Sequence, residues 1–178
     1  GTMLFSDRSV WTMVHGIGLS GAALMGLFAA LFYLRAMASA RANDATPAQA
    51  RYFSWLVTGT AIALWASVLV GTFVIFPLYR LPPPADAIDL SQFPRALLLK
   101  NPDTAWLHAF AMEVKEHMPW IAAMLATATA FVSVRYQAQV LTDASLRRMT
   151  AVLLTVCFTV VAFVGLLGTF INKIAPLQ

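Results

Sequence analysis

Charge is what this chain has least of. Only 11% of its 178 residues are Asp, Glu, Lys or Arg, where a water-facing domain carries about 25%. Such a surface cannot meet water over most of its area. With 60% hydrophobic residues, the solvent it implies is a lipid bilayer. Cysteine is almost absent as well. The single one, Cys157, excludes an internal disulfide and any two-cysteine metal or haem-attachment motif. Lying mid-run among apolar residues, it is expected to be a small buried hydrophobe. The net charge of +4 is modest and gathered into short links, so membrane topology accounts for it and nucleic acid is not a partner. A cleavable leader is not expected, because the first apolar run is too long and lacks a cleavage pattern.

What is present is four apolar runs, roughly 10–34, 53–79, 106–134 and 150–171. Each is long enough for the ~20 helical residues that cross a bilayer. None alternates as a strand would, and an open sheet in lipid would leave backbone groups unpaired. The expected fold is an all-α membrane protein, one domain over residues 1–178. The links holding Arg35, Arg41 and Arg51, and Arg135, Arg147 and Arg148, are short and rich in arginine. That favours them as cytoplasmic, with both termini and the longer segment 80–103 outside a bacterial cytoplasmic membrane. Within that segment Leu97-Leu98-Leu99 suggests a short helix on the membrane surface.

An internal repeat carries the most weight. The second run ends Leu69-Val70-Gly71-Thr72-Phe73 and the fourth ends Leu166-Leu167-Gly168-Thr169-Phe170. The spacing from Arg51 to Gly71 equals that from Arg148 to Gly168. In the partner runs His15 precedes Arg35 at that same spacing, and His117 precedes Arg135 at a spacing only two shorter. The pattern predicts a four-helix bundle of two tandem helical hairpins, related by an approximate two-fold axis along the membrane normal. At ~1.5 Å per residue, His15, Gly71, His117 and Gly168 all fall ~27–30 Å from the arginines. That is one layer, near the outer face.

Two imidazoles opposed at one depth, with a glycine on each remaining helix, suit a single haem b with His15 and His117 as axial ligands. Gly71 and Gly168 would let the macrocycle approach the backbone, and Phe73, Phe170, Trp11 and Trp120 would supply apolar walls. Ionisable groups at such depth are rare and usually functional. Glu113 and Glu116 are candidates for accepting the protons that a quinol must release on oxidation. The arrangement resembles the general plan of four-helix membrane b-type cytochromes. Those often hold two haems near opposite faces, whereas this chain has no histidine in its cytoplasmic half. The expectation is therefore one haem, passing electrons between membrane quinol and an outer-side redox subunit.

Two other readings stand beside it. One is a haem-free structural or assembly subunit, in which His15 and His117 bond loop carbonyls and Glu113, Lys115 and Glu116 form an interfacial ion cluster with Lys173 and Arg80. The other is a metal-ion site made by His15, Glu113 and His117, since residues four apart share a helix face. His108, nine residues before His117 and so ~13 Å further out, is expected at the wet rim. Met112 one turn on is read as packing.

Overall fold

Each apolar run is preceded by a residue able to start a helix. The Ser6 hydroxyl accepts from the Ser9 N–H, and Thr46 forms a reciprocal capping box with Gln49 just before Pro47. Asn101 caps ahead of Pro102, and Asp143 accepts from the Leu146 N–H. These side chains satisfy N–H groups that a helix start leaves without partners, and proline at the first helical position loses nothing by lacking one.

The computed structural model describes residues 5–39 and 45–177. It has four long helices, α1 (Asp7–Ser39), α2 (Pro47–Tyr79), α4 (Pro102–Tyr136) and α6 (Ala144–Ile174), each long and apolar enough to cross a membrane. Three of them extend past their apolar runs at both ends, and α2 extends past its run at the start only. Two short helices complete the described chain, α3 (Pro94–Lys100) and α5 (Ala138–Thr142). The expected surface helix around Leu97-Leu98-Leu99 is α3, and its Leu98 is fully buried against the ends of the long helices. We call this the cap end, and the opposite one, where Arg35, Arg51, Arg135 and Arg148 are exposed, the arginine end.

The long helices form a closed ring. α1 packs on α2 and α6, and α4 packs on the same two, so α1 and α4 face each other across the bundle. Large apolar side chains such as Trp55, Phe131 and Met25 point outward. Only a hydrocarbon solvent makes that arrangement favourable. Inside, small residues allow close approach. Ala122, Ala123 and Ala126 of α4 are buried, as is Cys157 of α6, whose thiol donates to the Ala122 carbonyl at 3.3 Å. Between α2 and α4, the Trp65 indole donates to Thr127 Oγ1 at 2.8 Å and the Ser54 hydroxyl to the Ser133 carbonyl at 2.9 Å.

Three of the four long helices widen into π turns near the cap end: Val14–Ser20 in α1, Gly71–Ile75 in α2 and Leu107–Met112 in α4. In α2 the cause is local. Pro77 cannot donate to the Phe73 carbonyl and its ring would strike it, so the turns before it open. In α1 the weak helix formers Gly16 and Gly18 lie inside the π stretch. The buried interior is split at this level. One apolar cluster, with Leu27, Phe53, Val57 and Leu154, fills the body of the bundle; a smaller one, with Tyr79, Leu98, Leu107 and Ile171, sits beneath α3.

α1 packs closely on α2 at Gly26, where an added Cβ would collide with Thr60 Oγ1 and lie 3.1 Å from Thr60 Cβ. Gly26→Leu is therefore expected to destabilise the bundle by about 1–3 kcal/mol through overpacking. A Cβ at Gly59 meets nothing within 4 Å, so Gly59→Ala should be near neutral. Thermal unfolding of both variants in detergent checks this; equal midpoints would show that the helices are not packed as described.

Candidate cofactor cavity at the cap end

The gap between the two apolar clusters is a cavity of about 700 Å³. Leu64 and Val68 line it from the larger cluster's side, and Tyr79 and Met112 from the smaller one's. His15, Lys115, Glu116 and His117 all reach it.

His15 enters from the π stretch of α1. Its ring lies against Gly71 of α2: a Cβ there would come within 2.8 Å of His15 Cε1. A short chain of hydrogen bonds fixes the ring. The Ser20 hydroxyl donates to the His15 carbonyl at 2.8 Å, Ser20 and Ser67 Oγ lie 2.6 Å apart, and Ser67 Oγ lies 3.3 Å from His15 Nδ1. A hydroxyl has one proton to give. Ser20 spends its own on the carbonyl, so Ser67 donates to Ser20, and Nδ1 of His15 must donate to Ser67. The neutral imidazole is thereby the Nδ1–H tautomer, with the Nε2 lone pair left over.

His117 is held by a different contact. Its Nδ1 is 2.8 Å from the Glu113 carbonyl, which can only accept, so Nδ1 carries the proton here too. Its side chain is 72% exposed, and the Glu113 carboxylate is 4.0 Å from Nδ1. The His117 side chain is thus largely exposed, whereas His15 is half-buried. The two are on helices that face each other, as the common depth implied. Among the described residues no three His, Cys, Asp or Glu side chains are grouped to hold a metal ion, so His15, Glu113 and His117 do not form a ready-made three-ligand set.

Other expected roles change. The room at Gly71 is taken by the His15 ring, and the room at Gly168 by Lys115, whose Nζ lies 2.6 Å from where a Cβ would stand. Both glycines also line the cavity, beside these groups. Phe73, at 69% exposed, and Phe170 and Trp11 face outward, leaving Trp120 as the one member of the expected aromatic wall that lines the cavity. The reason is rotation: two residues along a helix turn the side chain by ~200°, so a Gly-x-Phe with its glycine inside has its phenylalanine outside. The expected ion cluster is not assembled among the described residues. Lys115 turns inward, Lys173 is exposed, and the Arg80 guanidinium lies 5.2 Å from the Phe76 ring centre.

Of the two candidate acids, Glu116 is half-buried and lines the cavity, while Glu113 is exposed. His108 is half-buried rather than at a wet rim, and its Nδ1 is 2.9 Å from the hydroxyl of the buried Tyr79. Met112 is buried packing that also lines the cavity.

Ser67, Ser20 and Lys115 are the site residues that sequence reasoning passed over. A signal for Lys115 was present. Its spacing to Arg135 is the same as that of His15 to Arg35. No family model, no curated protein and no solved structure matches this chain.

If Gly71 is what admits the His15 ring, Gly71→Val should shift the His15 ring-nitrogen NMR signals, assigned with His15→Gln, while Gly59→Val leaves them in place. Unchanged signals in Gly71→Val would remove the glycine from the site.

Proposed function

We propose that the cap-end cavity is the site of one haem b, held by His15 from α1 and His117 from α4. The protein would pass electrons between membrane quinol and a redox partner on the same side. The observation that carries this reading is the matched state of the two imidazoles. Both line one cavity, both hold their Nδ1 proton in a hydrogen bond, and both leave Nε2 for a metal. Metal-bound histidines are ordinarily fixed this way, through the ring nitrogen that does not face the metal. The cavity volume and its mixed lining also suit a large, mainly apolar ligand.

When bound, haem supplies a one-electron acceptor and donor. The chain's own part is to hold the ligand, exclude water and handle protons. Ser67 and Ser20 keep the His15 ring from rotating, and the two apolar clusters seal the cavity along the bundle axis. Glu116, half-buried on the cavity wall, would take a proton from a quinol, whose oxidation releases protons and electrons together. The whole would be a pair of tandem helical hairpins with an approximate two-fold axis, in a bacterial cytoplasmic membrane, with the cap end outside. The arginine content of the opposite end favours that orientation.

The exposure of His117 favours one second reading, a haem-free subunit whose cap end docks a partner. An absorption spectrum separates the two. Purified protein should show a reduced-minus-oxidised band of low-spin haem; His15→Ala and His117→Ala should each lose most of it, and His108→Ala should keep it. A featureless spectrum rejects the haem, and elemental analysis of the same sample would reveal any iron, copper or zinc.

A further inference from the structure

Lys115 is the residue that the haem reading leaves without a role. It lies on α4 at the level of His15, and its Nζ occupies the space over Gly168 much as the His15 ring occupies the space over Gly71. It is half-buried and lines the same cavity. Lys115 and His15 stand on helices that face each other, and both line this cavity. Among the described residues no carboxylate pairs with it. Of the neighbouring acids, Glu113 lies 4.0 Å from His117 Nδ1, and neither it nor Glu116 comes within ion-pair distance of Lys115.

An ammonium at membrane depth without a partner is costly, and such groups are paired in working proteins. The cavity around it is large and mainly apolar. A ligand that satisfies all of this has an apolar body and an acid group. We infer that Lys115 is a carboxylate anchor, the point at which the cavity holds the acid group of an otherwise apolar ligand. Two sources carry that chemistry: a propionate of haem, in which case the inference rests on the haem reading, and a free fatty acid from the bilayer.

The acid and its ester make the test. The full chain and Lys115→Met, both purified in detergent from haem-deficient cells, are titrated with haemin and with haemin dimethyl ester, which keeps the ring and lacks the acids. The full chain should bind haemin about ten-fold or more tightly than the ester, the range expected for a charge-assisted hydrogen bond. Lys115→Met should bind the two alike, and Lys115→Arg should restore most of the preference. Comparing two ligands on one variant guards against a folding defect, and a helical circular-dichroism spectrum confirms that Lys115→Met is intact. Haemin binding with the same acid preference in Lys115→Met as in the full chain overturns the anchor and leaves the haem site standing. Where haemin does not bind at all, a fluorescent polyene fatty acid serves as the probe. Binding lost in Lys115→Met supports the anchor and rejects the haem; no binding of either ligand overturns both.

Discussion

The cap end is organised by two contacts between a polar side chain and a bare stretch of neighbouring backbone. Packed helices stand about 8–10 Å apart, which leaves no space for an imidazole or an aminoalkyl chain to turn inward past another side chain. His15 turns in because α2 offers Gly71, and Lys115 because α6 offers Gly168. Give either glycine a side chain and the polar group must go outward, toward lipid, where its desolvation cost is severe. Both glycines also border the cavity. They let the protein carry its own chemistry inside, and the cavity is what remains between the groups so placed.

The π turns belong to the same arrangement. A helix that widens pairs each carbonyl with the N–H five residues on instead of four. In α1 that sets Ser20 one π turn beyond His15, where its hydroxyl also donates to the His15 carbonyl and begins the chain of hydrogen bonds that reaches the His15 ring. By contrast α6 runs α-helical from Ala144 to Ile174. It has no π turn, and beside the wall residues Val164, Thr169 and Ile171 it offers Gly168, which leaves room for Lys115.

The sequence was legible along the helix axes and much less so around them. The four spans, the short helix at Leu97–Leu99 and the common depth of His15, Gly71, His117 and Gly168 all depend on counting residues. A miscount of two shifts depth by only ~3 Å. Direction around the helix forgives nothing, because the same two residues turn a side chain by ~200°. That is why Phe73 and Phe170, expected as cavity wall, face outward. It is also why His117, two positions short of the spacing that His15 keeps, matches it in depth but not in direction. The hydrogen bonds of Ser20 and Ser67 were illegible for another reason. Serine is common in apolar helices, where it usually bonds its own backbone, and nothing in the letters marks a pair of them as touching across two helices.

The matched counts have a consequence for the kind of ligand the cavity suits. At the same distance along the chain from its arginine, one half has His15 and the other has Lys115. Had both halves kept the same residue, the two walls would be alike and would favour a ligand with two similar ends. Instead one wall offers a nitrogen with a free lone pair, and the other an amine which, once protonated, is a cation that donates hydrogen bonds and accepts none. Opposed groups of such different character bind an unsymmetrical ligand in one orientation, because turning it end for end would set its acid against a lone pair and its electrophilic centre against a positive charge. His117, two residues along the same helix as Lys115 and rotated away from it, adds a second nitrogen to the cavity without undoing that polarity. The polarity of the walls, more than the presence of histidine at membrane depth, is what sets this cavity apart from a packing defect in an apolar bundle.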